Sequence, residues 1–305
     1  MLQTLIRMLL VMEILFYVWL GGHLAHRGFG VGAIVATILL AALLWRISHA
    51  LTSYMVAVFL RARDRRSLPL GNSLTALASE LCARFISYNW SQAFVHWALG
   101  NDPVGAGNGV PILLVHGFFS NRGMWVSFRQ RLAAANLGPV YTVSLEPLNG
   151  SIDAMATSLE KRIEEIVRAT GKEKIVVVAH SMGGLVTRAY MAQVGADHVA
   201  RFITLGAPHH GSRIAALGLF ECADQMRYQS PWIEMLEDME AARPPDVPTL
   251  SIYTQNDDLV YPPESSVLEW AENVPVSAVG HVALMFSEAV ADRVIAAIRK
   301  GAMPA

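Results

Sequence analysis

The sequence predicts an α/β chain in which a mostly parallel sheet, covered by helices on both faces, follows two N-terminal transmembrane helices. Three observations carry that expectation. Charged residues make up 16% of the 305 residues and hydrophobic ones 53%, whereas an ordinary soluble domain carries nearer ~25% charge. The apolar surplus sits in two N-terminal runs, Met8 to Leu20 and Phe29 to Trp45. From Val110 onward, short continuous apolar runs alternate with segments of helical period. Such alternation is the mark of a parallel sheet buried on both faces.

The second run is uncharged and about 17 residues long, close to the ~20 needed to cross a hydrocarbon core. The first is apolar except for Glu13 and reaches a similar length by including Leu2 to Met8, with Arg7 snorkelling to a headgroup. A cleaved leader is the rival reading of this run, but no A-x-A site follows it and a second apolar run does. The loop from Gly21 to Gly30 carries one basic residue besides histidine, Arg27, while Arg46, Arg61, Arg63, Arg65 and Arg66 follow the second run. That asymmetry places the N-terminus and everything after Arg46 on the cytoplasmic side of a bacterial-type inner membrane. Ile47, Ala50, Leu51, Tyr54, Met55, Val58 and Phe59 continue a helical period. One unbroken helix from Phe29 to Leu60 would be about 48 Å long, more than a bilayer spans. A separate interfacial helix is therefore expected, with its arginines on anionic lipid; packing against the folded domain is the alternative. Residues 1–66 then form a membrane anchor. Residues 67–107 form a helical connector ending in the loose stretch "GNDPVGAGNGV", and 108–305 the α/β domain. The formal net charge of −1 provides no field to recruit nucleic acid. Cys82 and Cys222 have no metal-ligand spacing and read as buried thiols.

Within the α/β domain, "PILLVHG" (111–117) reads as a strand and Asn121 to Asn136 as a helix. "VYTVSL" (140–145) is a strand, and Ser151 to Ala169 a helix with Ile152, Met155, Leu159, Ile163 and Ile166 on one face. "KIVVVA" (174–179) is a strand, followed by a helix from Ser181 to Val194. "VARFITLG" (199–206), "TLSIY" (249–253) and "VPVSAV" (274–279) are strands, and Val282 to Arg299 is the closing helix. Ligands of such sheets bind beyond the carboxyl ends of the strands.

Chemistry-bearing residues fall at those ends. In "AHSMGG", Ser181 stands between strand 174–179 and a helix, with small residues, Ala179 and Gly183, two positions to either side. A sharp strand-to-helix turn demands this, and it sets the hydroxyl at a helix N-terminus that favours developing negative charge. A serine needs a histidine to take its proton and an acid to fix that histidine's tautomer. His281 follows the last strand, and "YTQNDDLVYPP" supplies an acid after strand 249–253. The turn His116-Gly117-Phe118 ends the first strand. Backbone N–H groups of Phe118 and Met182 are then the expected oxyanion donors.

The stretches "LLVHGFFSNRGMW", "AHSMGG", "ITLGAPHHGS", "NDDLVYP" and "GHVALM" together resemble the α/β-hydrolase superfamily, in its bacterial lipase and esterase branch. The resemblance covers about two-thirds of the chain, and the membrane segment lies outside it. It implies a shortened α/β-hydrolase sheet, lacking the two leading strands of larger members, with Ser181 as nucleophile, Asp257 as acid and His281 as base. This reading requires no cofactor, and no metal site is recognised in the sequence. Packing of Leu259 and Val260 agrees with Asp257 as the acid and sends Asp258 to solvent. His209 and His210 are adjacent and lack a supporting carboxylate or cysteine cluster, so they read as loop or pocket lining rather than metal ligands. Residues 212–245 sit where lipases carry a lid, with Ile214, Leu217, Leu219, Phe220, Met226, Trp232, Ile233 and Leu236 available to an acyl chain or to the sheet beneath. The expected activity is hydrolysis of carboxylic esters of lipid-like substrates (lipase, esterase or phospholipase type). An acyltransferase or thioesterase on the same residues, or a non-catalytic membrane scaffold, is the alternative.

Overall fold

The computed structural model describes residues 1–103 and 109–302. Part of the stretch from Gly100 to Val110, and with it the boundary between connector and α/β domain, lies outside the described residues. Helices α1 (Leu2–His26) and α2 (Val31–Arg63) form an N-terminal hairpin. Both are long and apolar enough to cross a membrane. Ile14, Leu15, Val18 and Trp19 of α1 and Leu39, Leu40, Leu43 and Leu44 of α2 are exposed. Glu13, the lone acid of the first run, receives two hydrogen bonds of 2.7 Å from the Arg46 guanidinium. Arg46 thus belongs to the hairpin and leaves the charge asymmetry to the later arginines.

The expected break after Arg46 does not occur. Helix α2 runs 33 residues without interruption, about 50 Å, and its C-terminal third packs against the α/β domain instead of forming a separate interfacial helix. Ala57 is fully buried with Ile214 and Tyr261, flanked by Val56, Leu60 and Leu259. Ser53 and Arg61 reach polar groups of the domain. The apolar period after Arg46 therefore faces protein. At the same open end of the hairpin, Leu2 and Ile6 of α1 cluster with Ala93 and Phe119, and Arg7 donates to the Ala93 carbonyl at 2.7 Å.

Helix α3 (Leu70–Ile86), a π-helical turn (Ser87–Ser91) and α4 (Val95–Leu99) form the connector. The domain then alternates β1 (Ile112–Val115), α5 (Val126–Ala134), β2 (Val140–Thr142), α6 (Ile152–Thr170), β3 (Ile175–His180), α7 (Met182–Gln193) and β4 (Val199–Leu205). Helices α8 (Glu221–Gln225) and α9 (Pro231–Ala242) precede β5 (Thr249–Thr254), β6 (Glu272–Val276) and α10 (Glu288–Ala302). Among the described residues the sheet has six strands in the order β2-β1-β3-β4-β5-β6, each pair parallel. This is the shortened sheet that the sequence predicts.

Every residue of β1, β3 and β5 is buried, as continuous apolar runs in a two-faced sheet require. One face packs Leu113, Val177 and Phe202 against α6 and α7, including Leu159, Ile163 and Leu185. The other packs Ile112, Val178 and Ile252 against Trp125, Phe128, Leu284 and Val294. Local signals set the helix ends. Ser151 accepts the Ala154 N–H to cap α6, and Gly171 closes that helix in the left-handed region at φ 66°. Of the two cysteines, Cys222 is buried but Cys82 is exposed, and both are free thiols.

Candidate active site

Ser181 sits between β3 and α7 with φ 53° and ψ −128°, backbone angles that a β-carbon makes costly and that a surrounding frame must hold. Its N–H donates to the Leu205 carbonyl on β4 at 3.0 Å, and its carbonyl accepts the Gly184 N–H at 2.9 Å. The small neighbours are required by close approach. A methyl group on Gly183 would lie 2.6 Å from the His116 carbonyl oxygen, and one on Gly117 would lie 2.7 Å from the Ser181 β-carbon. The end of β1 and the start of α7 are thus in direct contact across the serine.

His116 locks the first of these turns. Its Nε2 accepts the Leu145 N–H at 2.9 Å, so Nδ1 carries the proton and donates to the Gly117 carbonyl at 2.9 Å. Burial pushes its pKa down to about 4, which keeps the ring neutral. The N–H groups of Phe118 and Met182, on either side of this contact, have no hydrogen-bond partner among the described residues. Free donors beside a serine are what an oxyanion hole needs.

His281 and Asp257 are buried and paired, with Nδ1 and Oδ2 2.8 Å apart. The other carboxylate oxygen, Oδ1, accepts the N–H groups of Leu259 at 2.8 Å and Val260 at 2.6 Å. These two residues fix Asp257 through their backbones as well as through packing. Burial alone would lower the His281 pKa, but Asp257, then Glu80 and Asp258, outweigh it and leave it raised. Gly206, at φ 57°, brings the β4 turn against the pair, where a methyl group would lie 3.3 Å from His281 Nδ1. Among the described residues Ser181 Oγ makes no hydrogen bond to His281, so the serine–histidine arm is the looser one, as is common without substrate.

Asp258 does not point to solvent. It is buried, and its Oδ2 accepts Arg84 Nη2 at 2.7 Å and Ser53 Oγ at 2.6 Å. The packing of Leu259 and Val260 places Asp257 but says nothing about what the connector brings to its neighbour. Sequence reasoning also missed His180, whose ring lies 4.6 Å from that of His281. Its Nε2 contacts the His281 carbonyl at 3.1 Å, and burial followed by His281 holds its pKa well below 6.5. Its place directly before Ser181 was the available signal. Arg188, buried on α7, donates to both carboxylate oxygens of Glu240 and to the His209 carbonyl. No local pattern in the sequence marks that pair.

His209 is buried with its Nε2 3.1 Å from Thr204 Oγ1, and His210 pairs with Glu237 at 2.6 Å. Among the described residues no group of three or more His, Cys, Asp or Glu could hold a metal ion. Segment 212–245 divides into two parts. Ile214, Met226, Ile233 and Leu236 are buried, whereas Leu217 and Leu219 are 69% and 73% exposed. Phe220 stacks on Phe119, with centroids 6.2 Å apart and planes at 6°, and so joins this segment to the turn beside Phe118.

A triacylglycerol lipase of Pseudarthrobacter phenanthrenivorans is 31% identical over 113 residues, 34% of this chain and 35% of its own. One from Burkholderia plantarii is also 31% identical over 113 residues, 34% of this chain and 31% of its own. The chain thus spans about a third of the length of the curated relatives it matches. Among solved structures, Aspergillus fumigatus lipase B superposes with TM-score 0.57 at 19% identity, covering 65% of this chain and 55% of its own. A mature Bacillus licheniformis lipase gives 0.56 at 18%, covering 65% and 96%. At these identities the likeness is one of fold. The model of the alpha/beta hydrolase family matches residues 112–299, more than half of the chain, and the chain belongs to that family.

Proposed function

We propose that the protein is a membrane-anchored serine hydrolase that cleaves carboxylic esters of apolar acyl chains through an acyl-enzyme. The observation that carries this reading is Ser181 in its strained turn, in the same site as the 2.8 Å His281–Asp257 pair. In the reaction Ser181 Oγ attacks the ester carbonyl carbon while His281 Nε2 takes the hydroxyl proton. Asp257 holds the tautomer that leaves Nε2 free and stabilises the imidazolium. The N–H groups of Phe118 and Met182 hold the negative oxygen of the tetrahedral intermediate. Collapse breaks the ester C–O bond, and the leaving alkoxide takes the proton from His281. Water, deprotonated by the same histidine, then releases the acid and restores Ser181.

Apolar substrates are supported by the two exposed N-terminal helices and by Phe220, stacked on Phe119 next to Phe118, with the exposed Leu217 and Leu219 preceding it in the chain. The curated relatives described above are triacylglycerol lipases, which favours the ester class. The test is labelling by a fluorophosphonate and turnover of a series of p-nitrophenyl esters. Ser181→Ala should lose labelling and on the order of 10⁴-fold or more in turnover with the fold intact. Near-wild-type turnover with retained labelling would refute the mechanism.

A further inference from the structure

Helix α3 lies outside the hydrolase sheet, yet it inserts a carboxylate behind His281. Glu80 is 1% exposed, and its Oε2 accepts the Ala283 N–H at 3.0 Å, two residues after the histidine. A methyl group on Gly280 would lie 2.5 Å from that same oxygen, so the turn from Gly280 to Ala283 is seated directly on the carboxylate. Oε1 accepts Arg84 Nε at 2.6 Å. Arg84 in turn bridges to Asp258, the neighbour of Asp257. From α2, Arg61 Nη2 donates to the Asp257 carbonyl at 2.5 Å. Both loops that carry the histidine and the acid are therefore held by the N-terminal helices.

We propose that Glu80 is a positioning residue for the Ser181–His281–Asp257 triad, clamping the His281 turn and adding a second carboxylate to the field in which that imidazole takes up its proton. The inference rests on the triad reading given above. Glu80 is a poor structural choice on its own terms, because a buried carboxylate costs more than an apolar side chain of the same volume. Its charge is poised. Burial, then Asp258, push its pKa up to about 7 against the pull of Arg84. The groups facing it are Arg84 on its own helix, Tyr88 from the π-helical turn, Asp258 from the loop after β5 and His281 from the turn after β6. With both oxygens accepting hydrogen bonds, from Arg84 and Ala283, the Glu80 carboxylate stabilises the imidazolium that forms when His281 takes the serine proton.

The test is the pH profile of kcat/KM for a short-chain ester, from pH 5 to 9, on the full-length protein in detergent. His281 must be neutral to act as base, so kcat/KM rises through its pKa. Glu80→Gln keeps an acceptor for the Ala283 N–H, removes the charge and gives up the hydrogen bond from Arg84 Nε. Loss of a negative neighbour lowers the His281 pKa, so the acid limb should move to lower pH by at least about half a unit. The triple variant Glu80→Gln, Arg84→Met, Asp258→Asn removes the buried ions together, leaving none orphaned, and should shift the limb the same way if the single variant folds poorly. A limb that stays in place, with only turnover or melting temperature reduced, overturns the proposal. Fluorophosphonate labelling separates the two readings. Wild-type protein that takes no label at Ser181 would remove the triad reading and this inference with it. Normal labelling with an unmoved limb would remove the inference alone.

Discussion

Replacing Gly183 by alanine tests whether the contact between β1 and α7 builds the oxyanion site. The new methyl group would meet the carbonyl oxygens of His116 at 2.6 Å and Val115 at 2.7 Å. Ordinary contact begins at 3.4 Å, so one or both backbones must move by about 0.8 Å, an overpacking that typically costs 1–3 kcal/mol. For a domain of this size that corresponds to about 2–12 °C in melting temperature. The movement separates the two N–H groups that flank it, Phe118 and Met182. Displacements near 1 Å in a reacting geometry cost up to ~100-fold in rate. Because these donors act on charge that develops only in the transition state, the loss should fall on kcat and leave KM nearly unchanged. A comparison variant is Gly184→Ala, whose methyl group would lie 2.5 Å from the Ala207 β-carbon, away from the β1 carbonyls. It should lose comparable stability but less turnover. Differential scanning fluorimetry and initial rates on one p-nitrophenyl ester decide the matter. Wild-type kcat in Gly183→Ala, or an equal kcat loss in both variants, would refute the argument.

Two further outcomes follow from the same structure. Asp257→Asn should cost ~10⁴-fold in turnover, because an amide NH₂ facing His281 Nδ1 forces the wrong tautomer. Asp258→Asn should lose far less activity but more melting temperature, since it breaks the buried pair with Arg84; a crippled Asp258→Asn beside a mild Asp257→Asn would reverse the assignment. If the α/β domain lies on the cytoplasmic side, as Arg63, Arg65 and Arg66 at the end of α2 favour, a C-terminal GFP fusion should fluoresce and an alkaline phosphatase fusion stay inactive. The opposite pair of readings would place the domain across the membrane.

The sheet was legible in the sequence because parallel strands buried on both faces leave continuous apolar runs such as "IVVVA". Ser181 was legible because a strand-to-helix turn this tight imposes small residues at fixed offsets. His281 was legible from its position after the last strand. Other features depend on pairings across the chain that no local pattern encodes. Glu80 meets Ala283 and Arg61 meets Asp257 across about two hundred residues. Glu13 and Arg46 read separately as an oddity and a flanking charge, and only the hairpin makes them a pair. The apolar period after Arg46 was visible, but its periodicity is equally compatible with lipid and with the Ile214–Tyr261 surface that it covers. Cys82 was misplaced for a related reason, since cysteine type says little about which side of α3 faces the domain.

The uninterrupted course of α2 has a mechanical consequence. A flexible tether would let a tethered enzyme tumble and sample a hemisphere of solution, whereas a helix that continues from the apolar hairpin into the domain acts as a strut. With the hairpin in a bilayer, as proposed, the domain would ride at a fixed height and attitude over the lipid, its search reduced to lateral diffusion and spin about the membrane normal. Reach would then be confined to molecules of its own membrane, and lengthening or breaking the strut near Ser53 would trade that confinement for tumbling freedom while loosening the grip of Arg61 on the Asp257 loop.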